Sequence, residues 1–150
     1  MVKPINFENA DIGFRNFEGR EGLYNKKGEM SFAIFLEDEQ ARELLAEGWN
    51  VKFPKVRDNF DGEEDNRRAY MQVSVGFDYY PPKMVMIAGE TPTLLAQEEV
   101  GMLDWAEFEK IDLVVRPYEW SVNGNRGIKA YLKSGYFTLV TDQFASKYGI

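Results

Sequence analysis

Arg116, Tyr118 and Trp120 alternate along one stretch of the chain, Lys129, Tyr131 and Lys133 along the next, and Asn123-Gly124 lies between them. Asn-Gly between alternating apolar residues is the strongest short-range signature of a β-hairpin closed by a two-residue turn. Such a turn sets Ser121 opposite Arg126, Tyr118 opposite Lys129 and Arg116 opposite Tyr131. Side chains alternate across a strand, so the three cations and three rings then share one face. Leu113, Val115, Pro117, Ile128, Ala130 and Leu132 make the other, an ordinary core face. A cationic face interleaved with aromatics suits unpaired nucleic acid, whose bases stack on rings while its phosphates follow cations. A three-residue Asn123–Asn125 loop would slip the facing pairs by one position and scatter the set.

Lys beside Tyr on a solvated strand is common in proteins of every function. Two further features favour the nucleic-acid reading. The N-terminal region repeats the composition in Arg15, Phe17, Arg20, Tyr24, Lys26 and Lys27. The net charge of −7 is also unevenly spread: residues 37–112 hold 18 acidic against 8 basic groups, while residues 113–150 hold 5 basic against 2 acidic. The overall acidity argues against binding duplex DNA by phosphate contacts alone, and it leaves a local basic face intact.

Other chemistries lack their parts. With no cysteine and no histidine, the chain has no thiol nucleophile, zinc–thiolate site, disulfide, imidazole ligand or Ser-His-Asp triad. The acidic run Asp58, Asp61, Gly62, Glu63, Glu64 and Asp65 is interrupted by Arg57 and Asn59 where a calcium loop needs alternate acids. Glu107, Glu109 and Asp112 read as solvated charges, and no phosphate-binding glycine loop is present. No catalytic residue, metal or cofactor is expected. Met1 to Ala10 carries Glu8 and no apolar run, and no stretch reaches the roughly 20 apolar residues of a membrane span. A cytoplasmic protein is expected.

The elements that must position the hairpin are mostly strands. Ile12–Phe17 and Met30–Leu36 form a hairpin with a long, turn-rich loop; Phe14 fits either face and is left out of the site. Asp38–Glu47 is an amphipathic helix, capped by Asp38 and stopped by Gly48. Trp49–Phe53, Tyr70–Tyr79 and Lys83–Ile87 follow as strands, with a polar loop over Asp58–Arg68. Thr91–Met102 is ambiguous, Asp104-x-x-Glu107 suggests a capping box, and the tail from Asp142 suggests a short helix. Trp49, Trp105, Met84 and Met86 are assigned to the core. Six or seven strands, one inserted α-helix and short embellishments over a single domain, 1–150, suit a mainly β, partly open OB-like barrel. A β-sandwich is the alternative.

Several blocks carry a resemblance: Phe14-Arg-Asn-Phe-Glu-Gly-Arg20, Tyr24-Asn-Lys-Lys-Gly28, Gly48-Trp-Asn-Val-Lys52, Gly101-Met-Leu-Asp-Trp105, Asp112-Leu-Val-Val-Arg-Pro-Tyr-Glu-Trp120 and Asn123-Gly-Asn-Arg-Gly-Ile-Lys-Ala-Tyr-Leu132. Over residues 10–140 the sequence resembles a family of bacteriophage single-stranded DNA-binding proteins. The resemblance implies an OB fold that coats unwound DNA in the host cytoplasm during phage replication or recombination, with phage or host replication proteins as partners. The end Ala145-Ser-Lys-Tyr-Gly-Ile150 lacks the acidic tail of many single-strand binders, so recruitment through a tail is not expected. A homodimer would cover the barrel's edges. The expected interface is Arg15, Phe17, Arg20, Tyr24, Lys26, Lys27, Arg116, Tyr118, Trp120, Lys129, Tyr131 and Lys133. The alternative from another class is an acidic protein-binding module, with residues 37–66 mimicking nucleic acid to inhibit a host protein.

Overall fold

The computed structural model describes residues 2–22, 26–54, 68–78 and 80–140. Tyr24, the Asp58–Asp65 acids with most of their loop, and the tail from Asp142 lie outside them.

Its backbone is organised by two long strands, β8 (Phe108–Val122) and β9 (Asn125–Leu139). Asn123 at φ 51° and Gly124 at φ 82° close them in a two-residue left-handed turn, whose twist matches that of the flanking strands. The register is the expected one: Ser121 pairs with Arg126, Tyr118 with Lys129 and Arg116 with Tyr131. Further along, Val114 pairs with Ser134 but Val115 with Leu132, so Lys133 is the extra residue of a bulge.

Shorter strands assemble around this pair: β1 (Ile5–Phe7), β2 (Ile12–Asn16), β3 (Met30–Leu36), β4 (Val51–Lys52), β5 (Ala69–Val75), β6 (Lys83–Ala88) and β7 (Thr91–Leu94). The sheet has nine strands among the described residues, and its main path runs β1-β8-β9-β5-β3-β2. β1 and β2 end that path unpaired with each other, which leaves the barrel partly open. β9 pairs with β8 along one edge and is shared along the other. β5 runs parallel to Ala130–Tyr131, and β6 then runs parallel to Ser134–Thr138. The expected strand Tyr70–Tyr79 therefore stops at Val75, because β6 occupies the next stretch of the β9 edge.

The inserted helix α1 (Asp38–Glu47) buries Ala41 and Leu44. Gly48, at φ 108°, ends it in a Schellman motif: its N–H donates to Leu45 O, and Trp49 N–H donates to Leu44 O. The N-cap is Glu37, with no side-chain capping bond, and Asp38 sits inside the first turn. There its charge still favours the positive end of the helix dipole. Ile128 N–H donates to Gly48 O and Asn50 N–H donates to Ile128 O, which fastens the helix end to β9 near the turn of the β8–β9 hairpin. The ambiguous Thr91–Met102 stretch divides into β7 and a 3₁₀ helix, Gln97–Asp104, that buries Val100 and Leu103. Asp104 caps no helix of its own; its carboxylate accepts from the N–H groups of Phe17 and Glu18 at 2.7 and 3.1 Å.

The core lies beneath the sheet around Trp49, Phe17, Phe32, Phe137, Met71, Met84 and Leu132. Met86 packs against it partly buried. Trp105 does not join it: the ring is 74% exposed past the end of the 3₁₀ helix. β2 carries a second bulge, with Gly13 paired to Ala33 but Asn16 to Ser31. Phe14 occupies that bulge at φ 47°, a left-handed conformation that costs a residue with a Cβ roughly 1–2 kcal/mol. Past the bulge, Phe17 turns inward and stacks on Phe32 with centroids 5.2 Å apart. Two nearby phenylalanines should therefore differ sharply. By urea unfolding, Phe17→Ala is expected to lose about 3–5 kcal/mol, and Phe14→Ala to stay within about 0.5 kcal/mol of the parent. Equal losses would mean that the bulge is misplaced.

Candidate nucleic-acid interface

The turn and register place Arg116, Tyr118 and Trp120 beside Lys129 and Tyr131 on the outer face of the hairpin. Tyr131 is the hub. The Arg116 guanidinium lies 4.7 Å from its ring centroid and the Lys129 ammonium 5.0 Å, while Tyr118 meets it edge-on at 6.0 Å. Arg116 also lies 5.1 Å from the ring centroid of Tyr80. Its Nε is buried without a hydrogen-bond partner among the described residues. Among the described residues, rings orient this cation and no carboxylate pairs with it. Trp120 lies across Gly127, its pair in the register; a Cβ there would come within 2.8 Å of Cζ2 of the indole. A glycine is required if the indole is to lie flat on the strand.

Beside the strip opens a groove of about 520 Å³. Trp120, Lys129 and Tyr131 form one wall, Gln72 and Ser74 of β5 line its middle, and Gly28 to Ser31 contribute from the other side. The parallel pairing of Ser74 with Tyr131 makes wall and floor continuous. Ser31 pairs with Ser74 in the antiparallel β3–β5 ladder, so the floor carries small polar side chains. Glu29 and Asp78 are the acids that line it. Among the described residues no group of three carboxylates converges as a metal site would need. The arrangement offers flat apolar surface, directed positive charge and hydrogen-bonding groups.

A family model described as "Putative phage ssDNA-binding domain" matches residues 1–150. The chain belongs to this family. No curated protein matches the sequence. Among solved structures, the single-stranded DNA-binding protein of bacteriophage Enc34 with a C-terminal truncation is similar at TM-score 0.56 and 13% identity, over 93% of this chain and 87% of that one. The same phage protein in complex with ssDNA gives TM-score 0.55 at 13% identity, over 95% of this chain and 89% of that one. At this identity the likeness establishes the shared fold, the partly open OB-like barrel.

Within this ssDNA-binding domain the other residues expected at the interface separate. Lys26 and Lys27 are exposed on the turn that leads into Gly28 at the groove. Lys133 is exposed at the β9 bulge. Phe17 is a correction: it is 1% exposed, and Phe32 and Phe137 pack against its ring. It has no free surface for a base. Arg15 is tied down, its Nη1 donating to the carbonyls of Leu103 and Ala106 at 2.8 and 2.7 Å. Arg20 lies 3.7 Å from Asp104 and over the Trp105 ring at 5.5 Å, at the end of the 3₁₀ helix. Sequence reasoning missed Tyr80, Gln72 and Ser74. Tyr80 had a signal, an aromatic immediately before Pro81-Pro82; the other two are ordinary strand polars whose value depends on the β5–β9 pairing. A double-mutant cycle in urea with Tyr118→Ala and Tyr131→Ala is expected to give a coupling of about 0.5 kcal/mol or more. Strict additivity would mean that the rings do not touch.

Proposed function

We propose that the domain binds single-stranded DNA non-catalytically along the outer face of the β8–β9 hairpin and the adjoining groove. The domain would thereby coat unwound phage DNA during replication or recombination. The observation that carries this reading is the packing of Arg116, Lys129 and Tyr118 around the Tyr131 ring at the mouth of the groove. Bases stack on Tyr118, Trp120 and Tyr131, which serve any sequence because every base has a π-face. Arg116 and Lys129 neutralise phosphates, with Lys26, Lys27 and Lys133 along the strand's exits. Paired bases hide their faces, so the rings favour single strands over duplex. Family membership and the ssDNA complex of the similar phage protein support the same reading. The acidic-mimic alternative finds no comparable support.

Titration of a labelled oligo-dT by anisotropy tests the assignment. Tyr131→Ala is expected to weaken binding by roughly 5- to 150-fold, the effect of about 1–3 kcal/mol for one stacked base. Neutralising Arg116 or Lys129 as glutamine is expected to flatten the plot of log K against log salt by about 0.7 for each phosphate that the variant no longer neutralises. Parent-like affinity and slope in all three variants would exclude this face.

A further inference from the structure

The sheet face that carries Tyr131 does not end at the groove. Along β5, Met71, Val73 and Val75 point into the core, and Tyr70, Gln72 and Ser74 point the other way. Ser74 registers beside Tyr131. Tyr70 therefore sits on the same face, four residues or roughly 13 Å further along the strand. Phe35 of β3 pairs directly with Tyr70 and adds its ring to that face. Phe14 completes the group, with centroids 5.5 Å from Tyr70 and 5.8 Å from Phe35.

Phe14 differs from every core ring in the molecule. It is 71% exposed, yet its backbone is held left-handed at φ 47° by the β2 bulge. An unfavourable backbone that displays a large apolar ring is not explained by core burial, since so little of the ring is covered. Phe35 lies so close beneath β2 that a Cβ at Gly13 would come within 2.5 Å of its ring. The exposed ring therefore rests on a supported base. Between this group and Tyr131, Gln72 and Ser74 line the groove, so the path across β5 carries only small or hydrogen-bonding side chains. Cations flank the far end. Lys52 pairs with Tyr70 across the β4–β5 ladder, and the Arg68 guanidinium lies 5.8 Å from the Phe35 centroid. Arg68 is partly neutralised by Asp11 and Glu37 at 2.6 and 3.1 Å.

We propose that Phe14, backed by Tyr70 and Phe35, is a second base-stacking platform. A single strand seated at Tyr118 and Tyr131 crosses β5 over Ser74 and Gln72 and stacks a further base on Phe14, with Lys52 at its phosphate. The ligand is an unpaired nucleobase several nucleotides from the first site. The inference rests on the face assigned above, and oligonucleotide length separates the two.

The experiment is an anisotropy titration with labelled oligo-dT of about 4 and about 16 nucleotides, the limits for one barrel of this kind. Phe14→Ala is expected to weaken binding of the long oligonucleotide about 5-fold or more and to leave the short one unchanged, whereas Tyr131→Ala weakens both. Phe14→Gly, which suits the left-handed backbone, is expected to show the same loss with an undiminished melting temperature, which rules out unfolding as its cause. Phe14→Trp is expected to hold the long oligonucleotide with parent affinity. Parent-like binding of the long oligonucleotide by both Phe14→Ala and Phe14→Gly, with Tyr131→Ala still weak, would overturn the second platform alone and leave its ring to a protein partner. Loss of short-oligonucleotide binding in Phe14→Ala equal to that in Tyr131→Ala would also overturn it, since the two rings would then serve one site. No binding of either length by the parent protein would overturn both readings.

Discussion

The pairing of β8 with β9 through a turn of only two residues is the constraint on which the rest of the molecule depends. Asn123 and Gly124 both take positive φ, and that local choice fixes which side chains meet over two fifteen-residue strands. A slip of one residue would move Tyr131 and Lys129 to the core side and Ile128 and Ala130 to solvent. The core therefore enforces the same register as the turn. Agreement between a local and a global preference is what makes a register specific. The cation–ring contacts around Tyr131 inherit their precision from it.

β9 also serves as the shared edge. β5 and β6 divide its length between them, and the changeover coincides with the bulge at Lys133. Because β5 pairs with β9 at Ser74 and Tyr131, the floor of the groove is built from a segment more than fifty residues away in sequence. The end of α1 is pinned to Ile128 by two backbone hydrogen bonds, which steadies the hairpin where the core ends and the exposed arm begins. Rigid support of this kind limits the ordering entropy that a ligand-binding side chain loses on binding.

Legibility in the sequence followed the range of the interactions. The hairpin register, the span of α1 and its stop at Gly48 were readable because Asn-Gly and a terminal glycine act through their own φ angles. The span of β3 was readable from a continuous apolar run. The β2 bulge was not: nothing local marks Phe14 for a left-handed conformation, which depends on how Gly13 and Asn16 are matched to β3. That one inserted residue decides the fate of two phenylalanines, sending Phe17 into the core, against the reading from composition, and Phe14, which fits either face in the sequence, outward. Arg15 and Arg20 show a related dependence. Their charge suggests phosphate in the sequence, and in the fold backbone carbonyls and Asp104 at the 3₁₀ helix also engage them. Trp105 was placed in the core by size alone, and its exposure depends on where that helix ends.

An acidic protein that binds a polyanion also has to be reconciled with its net charge of −7. Phosphate contacts alone would be opposed by that charge, by the helix acids and by Glu29 and Asp78 at the groove. Ring stacking carries no such penalty, because a base is neutral and its attraction to Tyr131 does not depend on the distant field. On the proposed reading the acidity therefore contributes to discrimination. Duplex DNA presents phosphates without free base faces, so it meets the unfavourable charge with little to offset it. A single strand presents both, and the Arg116 and Lys129 charges lie over the Tyr131 ring where they can meet the strand's phosphates. An acidic chain with a small, ring-held cationic face is thus biased toward single strands by its charge as well as by its shape.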